Sequence, residues 1–465
     1  MSPKITAHRA PGTRDFLPDE MALRERVRRV IEGTFQLYGF QPLETPATER
    51  LEILTGKYGE EADRLIFKIL KRGEELSAAM ASPESGKASG ELADLGLRYD
   101  LTVPLARVIA MHRGELTYPF KRYQIQPVWR AERQQKGRYR EFVQCDADIV
   151  GTSSVSADAE IIALTDDILQ RLAIPGYRIH INHRMLLQGL VEYCGAPKDR
   201  FVDVAVAVDK LDKIGWDGVS EELMRKNIGS GIMDKIRTTI DHSYSTPQEF
   251  LDGLDADLQA QPSAKRGIEE LNQIFKDLKA CGISQSRLSL TLRLARGLDY
   301  YTGPIFETLI EEPKIGSITG GGRYDNLIGV FSGETIPATG TTIGIERIFD
   351  VMRELNLFGE VTAPSAQVLV AVFSEETRAE SLKIAAELRR AGISAEVYLE
   401  PPKKLAKQFA YADKKRIPFV VIAGPDELSR GEVTVKRLSS GGQIHVSRDH
   451  LVEQIGKEIE NGRPD

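Results

Sequence analysis

Residues 121–151, KRYQIQPVWRAERQQKGRYREFVQCDADIVG, concentrate side chains able to grip a charged ligand. Read as two strands and a loop, they sort by the alternation of faces along a strand. Arg122, Gln124, Gln126 and Arg130 share one face of the first strand, with Tyr123, Ile125 and Trp129 opposite. On the second, Gln144, Asp146 and Asp148 lie on one side and Val143, Cys145, Ala147 and Ile149 on the other. With the apolar faces on a core, the polar faces form a floor of carboxylates, amides and an arginine. The loop 131–140 adds Arg133, Lys136, Arg138 and Arg140 around Gly137. A flexible cationic loop over a polar floor suits a nucleoside triphosphate beside a small zwitterion. The ordinary alternative is a solvated hairpin.

Three other segments place polar side chains where a core would not want them. Arg98, Asp100 and Thr102 share a strand face, and LARGLDYYTGPIFE sets Arg296, Tyr300 and Tyr301 beside Gly297 and Gly303. The run SITGGGRYDNLIG, followed by TGTTIGIERIF, has three glycines that let backbone approach a flat ligand closely. Singly, each has a plain explanation: a glycine run is a turn, a tyrosine pair is core-edge packing, and Arg347 is a solvated charge. Neither a phosphate-binding P-loop nor a strand-linked GxGxxG is present.

Hydrophobic spacing predicts the elements that must hold these residues. A helix is expected over 21–37, a strand over 97–103 running into Pro104, and a helix over 105–111. After the hairpin come a helix over 157–172 and a strand over 177–182. From about 185 to 282 the pattern is helical and polar-turned, an insertion; strands return at 288–294, 305–310 and the glycines 320–322. A helix over 344–355 has Ile345, Ile348, Phe349 and Met352 on one stripe. Residues 77–90 read as a mobile surface loop and 356–364 as a linker. Beyond it, strands (368–373, 395–399, 419–423) alternate with helices (376–391, 403–415), and two shorter strands precede a last helix over 448–460. This is a separate small α/β domain with a largely parallel sheet.

The length of 465 residues allows two or three domains with proper cores, and 28% charged residues suit a soluble globular class. No secretory signal or transmembrane run is expected. Three distant cysteines without a CxxC pair argue against a disulfide framework and a cysteine zinc site, and suit a reducing cytoplasm. At a net charge of −6, a nucleic acid would have to meet local basic patches.

Taken jointly, these segments match one family in order, spacing and type: over essentially its full length the chain resembles histidyl-tRNA synthetase, a class II aminoacyl-tRNA synthetase. LETPATE around Pro46 is similar to the first class motif, VWRAER with GRYREF to the second, and GIERIF to the third. RGLDYYTGPIFE and GGGRYDNLI resemble stretches peculiar to the histidine enzyme, while the HIGH and KMSKS signatures of class I are absent. The resemblance implies an α/β protein: an α+β catalytic domain on an antiparallel class II sheet (1–184 and 286–355), a helical insertion (185–285), and a C-terminal α/β anticodon-binding domain (366–465).

It also implies residue roles. Arg130 and Arg296 would be catalytic, holding the α-phosphate of ATP from two sides, because a guanidinium is planar, always charged and bidentate. Glu132, Arg138 and Arg347 would complete the ATP site. Asp100, Leu101, Thr102 and Gln144 would receive the histidine ammonium end. Asp148 would take an imidazole N–H and Tyr301 supply a hydroxyl, with Tyr300 and Tyr324 as walls. Asp100 and Asp148 stand where the commonest bacterial pattern has glutamate, which implies a tighter pocket or a bridging water. ATP is a substrate accompanied by Mg²⁺; no tightly bound cofactor, zinc or other protein-held metal is expected. The partners implied are tRNA(His), L-histidine and a second copy of the chain, in the cytoplasm.

In the C-terminal domain, Lys403, Lys404, Lys407, Lys414, Lys415 and Arg416 interleave with Phe409 and Tyr411, a pattern able to meet phosphates and stack on unpaired bases. The rival reading is a catalytically silent paralogue, such as the synthetase-like regulatory subunit of a histidine-biosynthetic phosphoribosyltransferase. The presence of the C-terminal domain and of Arg130, Arg296 and Arg347 favours the enzyme.

Overall fold

Glycine and β-branched residues in short alternating runs build an eight-stranded sheet in the computed structural model, which describes residues 6–56, 64–81, 92–133, 138–241, 244, 246–295, 297, 300–359, 365–400 and 404–460. From edge to edge its strands are Gln41–Pro42, Phe120–Trp129, Glu141–Val150, Ala338–Ile343, Thr319–Arg323, Pro304–Ile310, Tyr177–His183 and Leu288–Leu290. The pairings are antiparallel except at the two outer edges, where Gln41–Pro42 and Leu288–Leu290 pair parallel with their neighbours. A sheet of this kind can cover one face with helices and leave the other for ligands.

The covering helices read clearly from sequence. Pro18–Leu37 begins with Pro at its first position and Asp19 and Glu20 in its first turn, which suits the positive end of the helix dipole. Its Val27, Ile31, Thr34 and Phe35 are buried. Ser156–Arg171 is buried along most of its length, and Asp158 on it takes Arg323 from the glycine-rich strand in a closed ion pair.

The strand expected over 97–103 does not form: only Leu97 of it belongs to a strand. The strand Ala93–Leu97 ends before Arg98, and a helix runs Thr102–Met111. The Asp100 carboxylate accepts the Val103 N–H at 3.1 Å, satisfying a first-turn donor, and Pro104 needs no partner there. Arg98 therefore does not face a ligand: it is fully buried and donates to the Thr45, Pro46 and Pro127 carbonyls and to Gln126 Oε1. Likewise the Leu288 strand stops at Leu290, and residues 77–81 belong to a helix, Gly73–Ala81, rather than to a loop. The remainder of that expected loop, 82–90, lies outside the described residues.

Among the described residues from Arg184 to Ala280, the regular elements are all helices. The longest, Pro262–Ala280, crosses Arg184–Tyr193 closely enough that a Cβ on Gly189 would meet the Ala264 Cβ at 2.4 Å. His183 caps Arg184–Tyr193 through Nδ1, which accepts the Met185 N–H at 3.1 Å. That leaves Nε2–H to donate to Glu270 at 2.8 Å on the longer helix.

The chain divides into two compact units, ending and beginning at Gly359 and Glu360. The second has a five-stranded sheet ordered Ala395–Val397, Val368–Ala371, Phe419–Ile422, Glu432–Arg437, Gln443–Ser447. The first three strands are parallel and the last two antiparallel, so the sheet is mixed rather than largely parallel. Val368–Ala371 and Phe419–Ile422 are buried throughout, between helices on both faces. Phe409 and Tyr411, interleaved with the basic residues of the expected patch, pack partly buried against this core, and Tyr411 donates to Glu396. Lys415 pairs with the same carboxylate at 2.8 Å. Lys403 of the expected patch lies outside the described residues.

Candidate active site

Register decides which side chains meet on the open face of the larger sheet. One row crosses the strands as Arg122, Asp148, Gly340, Gly322 and Ile305. The next runs Gln124, Asp146, Thr342, Gly320, Glu307 and His180. The first row runs from polar side chains through two glycines to an apolar Ile305, and the second is polar on both sides of Gly320. The glycines are bare for different reasons. A Cβ on Gly340 would meet Asp148 Oδ1 at 1.9 Å, and one on Gly322 would meet the Tyr301 ring at 2.7 Å. A Cβ on Gly320 would meet nothing within 4 Å, because Gly320 faces open space.

That space is a cavity of about 390 Å³. Its wall carries Arg130, Glu132, Arg138, Gln144, Tyr301 and Arg347, all expected from sequence. It also carries Tyr139, Phe142, Glu307, Thr342 and Glu346, which sequence reasoning did not assign. Asp100, Leu101, Thr102, Asp148, Tyr300 and Tyr324 are not on this wall, and Arg296 lies outside the described residues. A second cavity, of about 690 Å³, shares Arg138, Glu307, Ser317 and Arg347 with the first and extends to Arg178, Lys213 and Arg293.

The cationic end is held by the backbone. Arg130 donates through Nε to the Tyr99 carbonyl at 3.0 Å and lies over the Phe142 ring. Arg347 donates to the Ser317 carbonyl at 2.5 Å. Its neighbour Glu346 is buried at the helix N-terminus and is clamped by Arg14 and by Arg24 at 2.6 Å, so the helix start that presents Arg347 is anchored. Arg138 and Glu132 pair loosely at 3.6 Å.

The acidic end is buried. Asp148 is 3% exposed, accepts the Tyr324 hydroxyl through Oδ1, and has Oδ2 at 2.7 Å from Arg122 Nη2. Tyr300 stacks on Tyr324 at 5.1 Å and meets Tyr301 edge-on at 4.8 Å. The Gln144 amide donates to Thr342 Oγ1 at 3.2 Å, while its Oε1 is buried without a hydrogen-bond partner. Burial pushes the Asp148 and Asp100 carboxyls up, against the pull of nearby cations. Burial, with the like charge of Asp148, pushes Asp146 up to about 7.

The sequence profile of the histidyl-tRNA synthetase family matches residues 12–80 and 88–348, and that of an anticodon binding domain matches 367–458. This chain belongs to the histidyl-tRNA synthetase family. It is 43% identical to the histidine–tRNA ligase of Phocaeicola vulgatus over 96% of this chain and 98% of that protein. It is 44% identical to that of Bacteroides fragilis over the same shares. Among solved structures, the histidyl-tRNA synthetase from Nostoc sp. PCC 7120 superposes with a TM-score of 0.82 at 32% identity, covering 98% of this chain and all of that one. The antiparallel sheet with its bare central glycines is thus the catalytic fold of this synthetase family, and the second unit includes its anticodon-binding domain.

Proposed function

We propose that this chain is a histidine–tRNA ligase, activating L-histidine with ATP and passing it to the 3′ end of tRNA(His). The observation that carries the reading is one cavity whose wall holds Arg130, Arg138 and Arg347 together with the unpartnered oxygen of Gln144. In the first step a histidine carboxylate oxygen attacks the α-phosphorus, the bond to the bridging β-phosphate oxygen breaks, and pyrophosphate leaves. In the second, a hydroxyl of the terminal ribose attacks the carbonyl carbon and AMP leaves.

Charge builds on phosphoryl oxygens in the first step, so fixed cations and positioning supply the catalysis. Arg130 bridges the carboxylate and α-phosphate, Arg296 meets that phosphate from the other side, and Arg138, Glu132 and Arg347 hold the rest of the nucleotide. Mg²⁺ enters with ATP, held mostly by phosphate oxygens and water. Gln144 Oε1, with Asp100, Leu101 and Thr102, receives the ammonium end. Asp148, Tyr300, Tyr301 and Tyr324 define the imidazole end. Such a site rejects apolar isosteres, whose binding would leave its polar groups unpaired.

The catalytic domain comprises 1–184 and 286–355, with 185–285 as insertion and 366–465 reading the anticodon. The working form is a cytoplasmic homodimer. ATP–pyrophosphate exchange with each amino acid offered in turn is the test. Exchange with histidine alone, followed by charging of tRNA(His), supports the assignment; silence with every amino acid from folded protein would make the chain a regulatory paralogue.

A further inference from the structure

Arg122 is fully buried, yet it lies one strand away from the cavity and takes no part in the roles above. Its surroundings are rich in buried charge. Asp148 lies directly opposite it across the strand pair, with Asp146 on the same face two residues earlier. Nη2 also reaches the Leu101 carbonyl at 3.4 Å, in the segment that joins Asp100 to Thr102. Nη1 donates to Gln124 Oε1 at 3.3 Å. Gln124 in turn donates to Thr45 and Gln126, so a polar ladder fixes the arginine along its strand.

We propose that Arg122 is a positioning residue for histidine specificity, holding Asp148 as an oriented carboxylate whose Oδ2 accepts the imidazole N–H. This deepens the synthetase reading and rests on it. Three observations carry it. Asp148 Oδ2 sits 2.7 Å from Arg122 Nη2 without the alignment of a hydrogen bond, so its acceptor capacity is unspent. Oδ1 is already occupied by the Tyr324 hydroxyl, which leaves Oδ2 as the oxygen free to accept. Gly340 bears no side chain where a Cβ would collide with that carboxylate, so it leaves room for the rotamer that the Tyr324 hydroxyl and the Arg122 charge favour.

The charge balance gives Arg122 its weight. Asp100, Asp146 and Asp148 are all pushed up by burial, and Arg122 pulls each of them back. At Asp100 the Val103 N–H and Arg130 pull harder than Arg122 does, and at Asp148 the Tyr324 hydroxyl assists Arg122. Tyr301, just before the strand Pro304–Ile310, lies within electrostatic reach of Asp146, Asp148 and Glu307, and none of these brings a positive charge. Without the guanidinium a buried carboxyl beside two others takes up a proton. As a neutral acid it offers a donor as well as an acceptor, and discrimination for an N–H donor at that edge is lost.

The test is histidine-dependent ATP–pyrophosphate exchange by full-length Arg122→Met and Arg122→Lys, from about pH 6 to about pH 8.5. Methionine keeps the apolar stem and removes the charge. R122M should raise the histidine KM about 10- to 100-fold near neutral pH, with the ATP KM held within about threefold. The ratio of its histidine KM to that of wild type should fall as pH rises and Asp148 ionises. R122K should restore most of the KM and the wild-type pH profile. If R122M does not fold, the uncharged Arg122→Gln is read in its place: a raised histidine KM with unchanged thermal unfolding supports the inference, and an unchanged KM overturns it. A histidine KM for R122M within about threefold of wild type, or a fall in kcat with no change in KM or its pH profile, also overturns it. Wild-type protein silent with histidine would instead bring down the synthetase reading, and this inference with it.

Discussion

Gly340 and Asp148 stand directly opposite each other on adjacent antiparallel strands, and a Cβ on the glycine would fall 1.9 Å from Asp148 Oδ1. The glycine is therefore part of how the carboxylate is shaped. Gly340→Ala must rotate Asp148 away from Tyr324 and Arg122 or push the strands apart. It should cost about 1–3 kcal/mol of stability. It should also raise the histidine KM more than the ATP KM, which exchange kinetics measured alongside thermal unfolding would reveal.

Gly320 and Gly321 are neighbours with opposite duties. A Cβ on Gly321 would meet the Gly340 carbonyl at 2.1 Å, whereas one on Gly320 would enter the open cavity. Gly321→Ala should destabilise the fold by about 1–3 kcal/mol. Gly320→Ala should leave unfolding within about 0.5 kcal/mol of wild type, yet raise the KM for one substrate about tenfold. Equal melting of the two variants would contradict this division.

Arg347 reaches the cavity from the first turn of a helix anchored through Glu346. Arg347→Ala should lower the exchange rate about 10²- to 10³-fold, the scale for losing one preorganised partner of developing charge. Circular dichroism and melting should stay near wild type. Arg347→Lys, lacking the planar fork, should recover only part of the rate.

Arg323 and Asp158 are both almost wholly buried and meet through two guanidinium nitrogens. Arg323→Met strands a buried carboxylate, at about 3–5 kcal/mol, measurable by urea unfolding. Replacing both partners with apolar residues should recover much of that loss, because the one carboxylate that then loses Arg323, Asp325, is partly exposed and keeps the Thr302 hydroxyl.

Glu270 is held down, to about 2, by hydrogen bonds from His183 and Arg266 that outweigh the opposing effect of burial. A carboxyl depressed in the folded state stabilises above its unfolded pKa and loses that contribution as pH falls through the folded value. Stability should therefore drop between about pH 4.5 and about pH 2 by about 1–3 kcal/mol, allowing for the partial exposure of Glu270. Glu270→Gln should flatten that part of the profile in acid-unfolding curves.

Much of the molecule was legible in the chain because local rules agree with the fold. The stripe on Pro18–Leu37, the apolar runs of the second unit and the parity of Gln144, Asp146 and Asp148 all follow from the periods of helix and strand. Where a local competitor intervened, the pattern misled. The alternation through 97–103 continued past the true strand end, because Asp100 caps a helix that starts at Thr102. On the basic helix, the sequence left open whether Phe409 and Tyr411 meet solvent or a core, because that depends on what packs beside them.

The sequence by itself determined the family, the reaction class and most of the cationic wall, since those reside in residue type and spacing. Only the tertiary structure decided that Arg122 faces Asp148, that Thr342 and Glu307 join the same floor, and that Gly320 is open while Gly321 is crowded. The physical reason is register. Side-chain parity says which face a residue occupies within its own strand, but strand order and offset choose its neighbours across the sheet, through contacts between segments nearly two hundred residues apart.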